Sequence, residues 1–105
     1  MVARVTLAEV DTVRVPLRDA IEVYERSVLP ALREQEGYEG SYVLATPEGK
    51  AMVITFWTDE ELAAAGVESG FYAEQVEKFV TVYRTPPGRE LYEVVVAEAP
   101  AVATY

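Results

Sequence analysis

The chain contains no cysteine and no histidine, and its 105 residues include no asparagine and only two glutamines, Gln35 and Gln75. Without cysteine, disulfides, thiol nucleophiles and sulfur metal ligands are excluded. Without histidine, Ser27, Ser41 and Ser69 have no imidazole base, so a Ser-His-Asp triad is impossible. A metal would be held by oxygen atoms alone, a set that favours weakly bound hard cations. No Asp/Glu spacing matches a calcium loop, and no metal site is expected. Gly66 and Gly70 lack the lysine and the preceding strand of a phosphate-binding loop. Cations are scarce as well: nine Lys and Arg face eighteen Asp and Glu, for a net charge of −9 and a pI near 4.4. Nucleic-acid binding needs cations that displace counterions from phosphates, so no nucleic-acid partner is expected. No apolar run approaches the roughly 20 residues of a membrane span. The N-terminus, Met1-Val-Ala-Arg-Val-Thr, lacks the basic and apolar regions of a secretory signal. The expectation is a cytoplasmic protein without a membrane partner. Few Cys, His, Asn and Gln beside many Glu and Arg also fit a thermophilic source.

What the chain does have is β-prone apolar sequence. Residues 1–105 read as a single domain, half of them hydrophobic. Ala51-Met-Val-Ile-Thr-Phe-Trp57 predicts a strand buried on both faces. Thr58-Asp-Glu-Glu61 follows as a capping box, so a helix should start at once. Upstream, Val2 to Val10 predicts a strand with Ala3, Val5 and Leu7 on one face and Arg4 and Thr6 on the other. After a connection over 11–15, Pro16 suits a helix start. Leu17, Ile21, Tyr24, Val28 and Leu32 then give an amphipathic helix to about Glu36. Pro30 should kink it, and Gly37 should cap its end. Ser41 to Thr46 and Ala51 to Trp57, joined by Pro47-Glu-Gly49-Lys, predict a hairpin. A second helical region is expected in two parts, broken near Gly66 and Gly70, with Tyr72, Val76, Phe79, Val80 and Tyr83 at helical spacing. Thr85-Pro-Pro-Gly88 ends it. Leu91 to Ala97 predicts the last strand, and Pro100 begins a short apolar tail.

The resulting order, β-α-β-β-α-β, is the ferredoxin-like α+β arrangement, with two helices on one face of a four-stranded antiparallel sheet. Nothing in the chain remains to cover the other face. Some eight to ten apolar side chains would lie there, each worth about 1.5–3 kcal/mol if buried. Sheet-on-sheet pairing with a second copy, a homodimer, is the economical solution. No internal repeat or low-complexity segment interrupts this pattern.

Three stretches carry a family resemblance: Val28-Leu-Pro-Ala-Leu-Arg-Glu-Gln-Glu-Gly-Tyr-Glu-Gly40, Ile54-Thr-Phe-Trp-Thr-Asp-Glu-Glu61 and Leu91-Tyr-Glu-Val-Val95. With them the chain resembles the dimeric α/β-barrel superfamily, in its antibiotic-biosynthesis-monooxygenase-like branch. The resemblance implies a dimer whose two sheets pack as one barrel. It also implies a cavity between helices and sheet for small, often aromatic ligands. Some members of that family oxygenate polyphenols without metal or flavin. Others degrade haem, using a His on the second helix and an Asn on the first strand. Neither residue type occurs in this chain, so haem degradation is disfavoured and no cofactor is expected.

Cofactor-free oxygenation needs an apolar pocket, hydrogen bonds to a forming phenolate and a base. Trp57 and Phe71 are candidate walls, with Tyr72, Tyr24 and Gln75 as polar groups. A Trp at a strand end with aromatics at helical spacing is more often core than a substrate box. Arg4, a cation on a strand, could anchor an anion or form an interface salt bridge. Adjacent carboxylates, Glu34/Glu36 and Glu60/Glu61, read as solvated. Segment 58–79 carries Asp59, Glu60, Glu61, Glu68, Glu74 and Glu77 against Lys78 alone. It reads as a solvated helix face or a surface for a basic partner. Seven tyrosines suit either packing or an interface. Three roles follow: a cofactor-free monooxygenase, a non-enzymatic ligand-binding or structural dimer, and a scaffold with its cavity filled.

Overall fold

The computed structural model describes residues 1–68 and 88–98. The elements are β1 (Val2–Glu9), α1 (Leu17–Val23), a π-helical turn (Tyr24–Val28), α2 (Leu29–Arg33), β2 (Tyr38–Ala45), β3 (Lys50–Trp57), α3 (Glu60–Glu68) and β4 (Gly88–Glu93). The sheet order is β2-β3-β1-β4 with every neighbouring pair antiparallel. This is the ferredoxin-like α+β sheet expected from the sequence. The second part of the second helical region, with Phe71, Tyr72 and Gln75, lies outside the described residues.

The first helical segment is bent where Pro30 requires it, through a π turn. Pro30 has no N–H to give to the preceding turn, and its ring crowds the carbonyl four residues back. Widening the turn just before it removes that conflict, and the Leu29 amide reaches back to the Tyr24 carbonyl. The extra residue shifts the helical phase. Ala20, Val28 and Leu32 are buried, while Ile21, expected on the core face, is turned out to 37% exposure. The helix also ends earlier than Glu36. Its last turn tightens, with Glu34 and Gln35 amides on the Ala31 and Leu32 carbonyls.

Gly37 has φ +85°, a backbone state that favours glycine, and a Cβ there would lie 2.7 Å from Leu62 Cβ. It joins the first helical segment, β2 and α3 at one point. This junction corrects the expected capping box. Leu62 N–H donates to Asp59 Oδ1 at 2.9 Å, so Asp59 is the cap of α3. Thr58 is engaged elsewhere: its N–H donates to the Gly37 carbonyl at 2.8 Å and its hydroxyl to Glu39 Oε1 at 2.8 Å. Asp59→Ala should therefore destabilise the fold by about 1 kcal/mol. Urea denaturation would register it, and an unchanged midpoint would assign the cap back to Thr58.

Other boundaries differ for reasons of pairing. Strand β2 begins at Tyr38 rather than Ser41, with a bulge between Tyr38 and Gly40. The hairpin turn closes through Thr46 N–H to the Lys50 carbonyl, 2.9 Å, and Gly49 N–H to the Thr46 carbonyl, 3.0 Å. Gly49 has φ +98°, and a Cβ there would run into the Val10 carbonyl oxygen. Helix α3 runs through Gly66 without the break expected there. Strand β4 spans 88–93 instead of 91–97, because β1 offers partners only as far as Val2.

Register assigns the two faces of the sheet. Facing the helices are Val2, Arg4, Thr6 and Ala8 of β1, opposite Trp57, Thr55, Val53 and Ala51 of β3. The core gathers there from Val10, Ala20, Val28, Leu32, Trp57 and Ala63. The other face presents Ala3, Val5, Leu7, Tyr42, Leu44, Met52, Ile54, Phe56 and Tyr92. Leu7, Tyr42, Leu44 and Tyr92 are 55%, 49%, 54% and 51% exposed. β3 is therefore buried on one face within a single chain, not on both. Glu90 also lies on the bare face and accepts the Tyr92 hydroxyl at 2.8 Å. That hydrogen bond, then the carboxylate's charge, raises the phenol's pKa above its ordinary value of 10.0. The proton is thus held more tightly, and Tyr92 stays neutral throughout the physiological range.

Candidate functional site

A polar row crosses the helix-facing side of the sheet. Ser41 on β2 pairs with Thr55 on β3, Thr55 pairs with Arg4 on β1, and Arg4 pairs with Leu91 on β4. Side chains directly opposite on neighbouring antiparallel strands lie about 4.5–5.5 Å apart at Cβ. Three polar side chains therefore stand side by side across the helix-facing layer. The row on one side of them holds Tyr38, Trp57 and Val2, and the row on the other holds Val43, Val53 and Thr6.

Each member has an identifiable contact. Arg4 Nη2 donates to the Ala63 carbonyl at 3.1 Å, which ties the guanidinium to helix α3. Arg4 therefore faces the helices and does not belong to the bare face, which removes the sheet–sheet salt bridge as its role. Thr55 is 4% exposed and accepts the Trp57 indole N–H at 2.9 Å. The Tyr24 hydroxyl donates to Ser41 Oγ at 3.4 Å, so the π turn contributes a phenol to the same row. The π turn is what carries Tyr24 inward after Ile21 has turned out.

Trp57 is fully buried, and its ring meets Tyr38 edge to face with centroids 5.7 Å apart. Its N–H is satisfied by Thr55, so the indole forms the floor of the layer and orients the Thr55 hydroxyl. Of the residues singled out from sequence, Trp57, Tyr24 and Arg4 converge on this side of the sheet. Phe71, Tyr72 and Gln75 lie outside the described residues. Sequence reading missed Ser41 and Thr55. The available signal was Thr55 itself, the one polar residue inside the apolar run 51–57.

Chemically, the row joins a cation to hydroxyl groups that can both donate and accept. Such a set recognises an anionic or phenolic oxygen, with flanking aromatic and aliphatic side chains for a planar apolar body. Among the described residues no three His, Cys, Asp or Glu gather as a metal site. No described helix is long and apolar enough to cross a membrane. A shallow depression at Leu7, Ala8, Glu9, Lys50 and Ala51 lies at the opposite end of the β1–β3 ladder. It is remote from the polar row.

The element order and sheet define a ferredoxin-like α+β domain with helices on one face. Solved structures of this shape include a protein of unknown function from Nitrosomonas europaea, with TM-score 0.72 and 21% identity over 96% of this chain and 95% of that one. A monooxygenase from the gene ActVA-Orf6 of Streptomyces coelicolor, in complex with nanaomycin D, superposes with TM-score 0.70 and 17% identity, covering 95% and 92%. SnoaB, a cofactor-independent oxygenase from Streptomyces nogalater, gives TM-score 0.72 and 12% identity, covering 91% and 94%. No family profile and no curated protein matches the sequence. The chain has the fold of the antibiotic-biosynthesis-monooxygenase-like proteins.

Proposed function

We propose that the protein is a homodimer that binds a small planar phenolic compound between helices and sheet and oxygenates it without a cofactor. The observation that carries this reading is the row Ser41–Thr55–Arg4, with the Tyr24 hydroxyl on Ser41. The fold shared with a cofactor-independent oxygenase and with a monooxygenase bound to nanaomycin D supports it. A phenolic oxygen set against Arg4 ionises more readily, because a nearby cation favours the anion. The electron-rich phenolate can pass an electron to dioxygen, and the two radicals combine at a ring carbon. Loss of water from the resulting hydroperoxide leaves a carbonyl. A ring C–H, the phenolic O–H and O2 thus give a quinone and H2O, with all four electrons supplied by the substrate. The protein's part is to orient the ring, stabilise the anion and exclude bulk water.

A second reading, a non-enzymatic ligand-binding or structural dimer, draws on the packing of Trp57. Its ring fills the corner between Tyr38 and Thr55. One experiment separates the two. Planar phenols are titrated while the fluorescence of Trp57, the only tryptophan, is followed. Oxygen uptake and incorporation of labelled oxygen are measured in parallel. The oxygenase reading expects a saturable fluorescence change and one oxygen atom in the product. Arg4→Gln should weaken phenolate binding roughly tenfold, the effect of losing about 1.4 kcal/mol of charge-assisted hydrogen bonding. Binding without oxygen uptake leaves the second reading; no response across a broad phenol panel rejects both ligand-binding roles.

A further inference from the structure

The π turn costs the first helical segment some of its packing. Ile21 is 37% exposed while the smaller Ala20 is buried, the reverse of what apolar burial favours. Pro30 is itself exposed, so its ring adds little to the core, and its effect is on the backbone. That effect can be counted in residues. The Leu29 amide reaches the Tyr24 carbonyl, five residues back. In a regular turn it would take the carbonyl of Glu25, four residues back, and Glu25 would stand where Tyr24 stands. The same one-residue shift would put Ile21 in the place of Ala20. The Ser41 end of the polar row would then meet a carboxylate instead of a phenol. Pro30 prevents this, because in a regular turn its ring strikes the backbone carbonyl of Arg26. Wide turns of this kind inside helices recur at functional sites.

We infer that Pro30 is a positioning residue, which through the wide turn sets the Tyr24 hydroxyl to contact a second oxygen on the bound phenol. The inference rests on the phenol-binding reading given above. Arg4 and Ser41 mark two ends of the row, with β3 between their strands. They are two strand spacings apart, roughly 10 Å. A single oxygen held by Arg4 cannot reach the Tyr24 end. A two-ring phenol with a further oxygen on its far ring covers the distance, with one hydrogen bond at each end. The Tyr24 hydroxyl is suited to that exchange. Its bond to Ser41 Oγ, 3.4 Å, is longer than the usual O–H to O separation of about 2.8 Å, so a ligand oxygen replaces it at small cost. Both groups are half-buried, which lets a ligand reach them while limiting competition from water. Arg4 thus selects for an ionisable oxygen, and Tyr24 for where the next oxygen lies.

The test compares 2-naphthol with 2,6-dihydroxynaphthalene by isothermal titration calorimetry. The wild type should bind the diol more tightly by roughly fivefold, the worth of one neutral hydrogen bond. Tyr24→Phe should bring that ratio to about one and leave 2-naphthol binding unchanged. Pro30→Ala should also bring it to about one, with the helical circular-dichroism signal retained, since alanine is the better helix former. Combining the two should lower the ratio no further than either alone, because both act through one hydroxyl. A crystal structure of Pro30→Ala should show a regular turn and no Tyr24–Ser41 contact. A wide turn retained in that structure, or a wild-type ratio in that variant, overturns the role of Pro30. Equal affinity of the wild type for both compounds overturns the role of Tyr24 and leaves phenol binding standing. Failure of the wild type to bind either compound overturns the phenol-binding reading and this inference together.

Discussion

Leu7→Asp is expected to yield a folded monomer. Leu7 stands on the central strand β1, on the bare face, 55% exposed in the single chain. An aspartate there stays hydrated in the monomer and costs the fold little. In a face-to-face dimer the same carboxylate is stripped of water without a partner, at a cost of about 3 kcal/mol per copy. Two copies multiply the effect, so Kd should rise by roughly four orders of magnitude. Sedimentation velocity at micromolar concentration reads the mass, and circular dichroism reads the fold. Wild-type mass for the variant would mean that this face is not the interface. Thr6→Asp, on the helix-facing side of the same strand, is the contrasting substitution, and it should disturb the fold rather than the association.

The largest effect on stability is expected from Gly37→Ala. The backbone there, φ +85°, costs a non-glycine residue about 1–2 kcal/mol. The added methyl group also meets Leu62 at 2.7 Å, against both Cβ and Cδ1. Forcing a methyl group into such a contact adds about 1–3 kcal/mol. The two terms together come to about 3 kcal/mol, or roughly a 15 °C fall in melting temperature for a domain of this size. Thermal denaturation checks the total, and a double mutant separates the parts. Adding Leu62→Ala to Gly37→Ala should restore part of the loss, because the contact with Cδ1 is removed while the contact with Cβ and the backbone strain remain. Strict additivity of the two substitutions would show that Leu62 yields without cost.

How much of this was legible beforehand differs from one element to the next. The strand ending in Trp57, the hairpin around Gly49 and the bend near Pro30 were readable because each depends on local chemistry. Apolar β-branched runs, a glycine at positive φ and a missing amide act over a few residues. The cap of α3 was misread by one position because Thr58 and Asp59 are both competent caps. The choice fell to Gly37 and Glu39, about twenty residues upstream, which take the Thr58 groups. The end of β4 was misread because a strand's length depends on how much neighbour it has, and β1 ends at Val2. The site divides in the same way. Arg4, Tyr24 and Trp57 stood out as residue types, but their relation to one another did not.

By itself the sequence determined the α+β order, the surplus of apolar sheet surface and the chemistry that is excluded. Hydrophobic period, turn residues and the absence of histidine and cysteine are properties of the chain alone. Only the tertiary structure decided that Arg4 faces the helices, because side alternates along a strand but the covered side depends on where the helices pack. Only register placed Ser41, Thr55 and Arg4 in one row, since residues 14 and 51 positions apart meet through hydrogen-bonded neighbours, not through spacing.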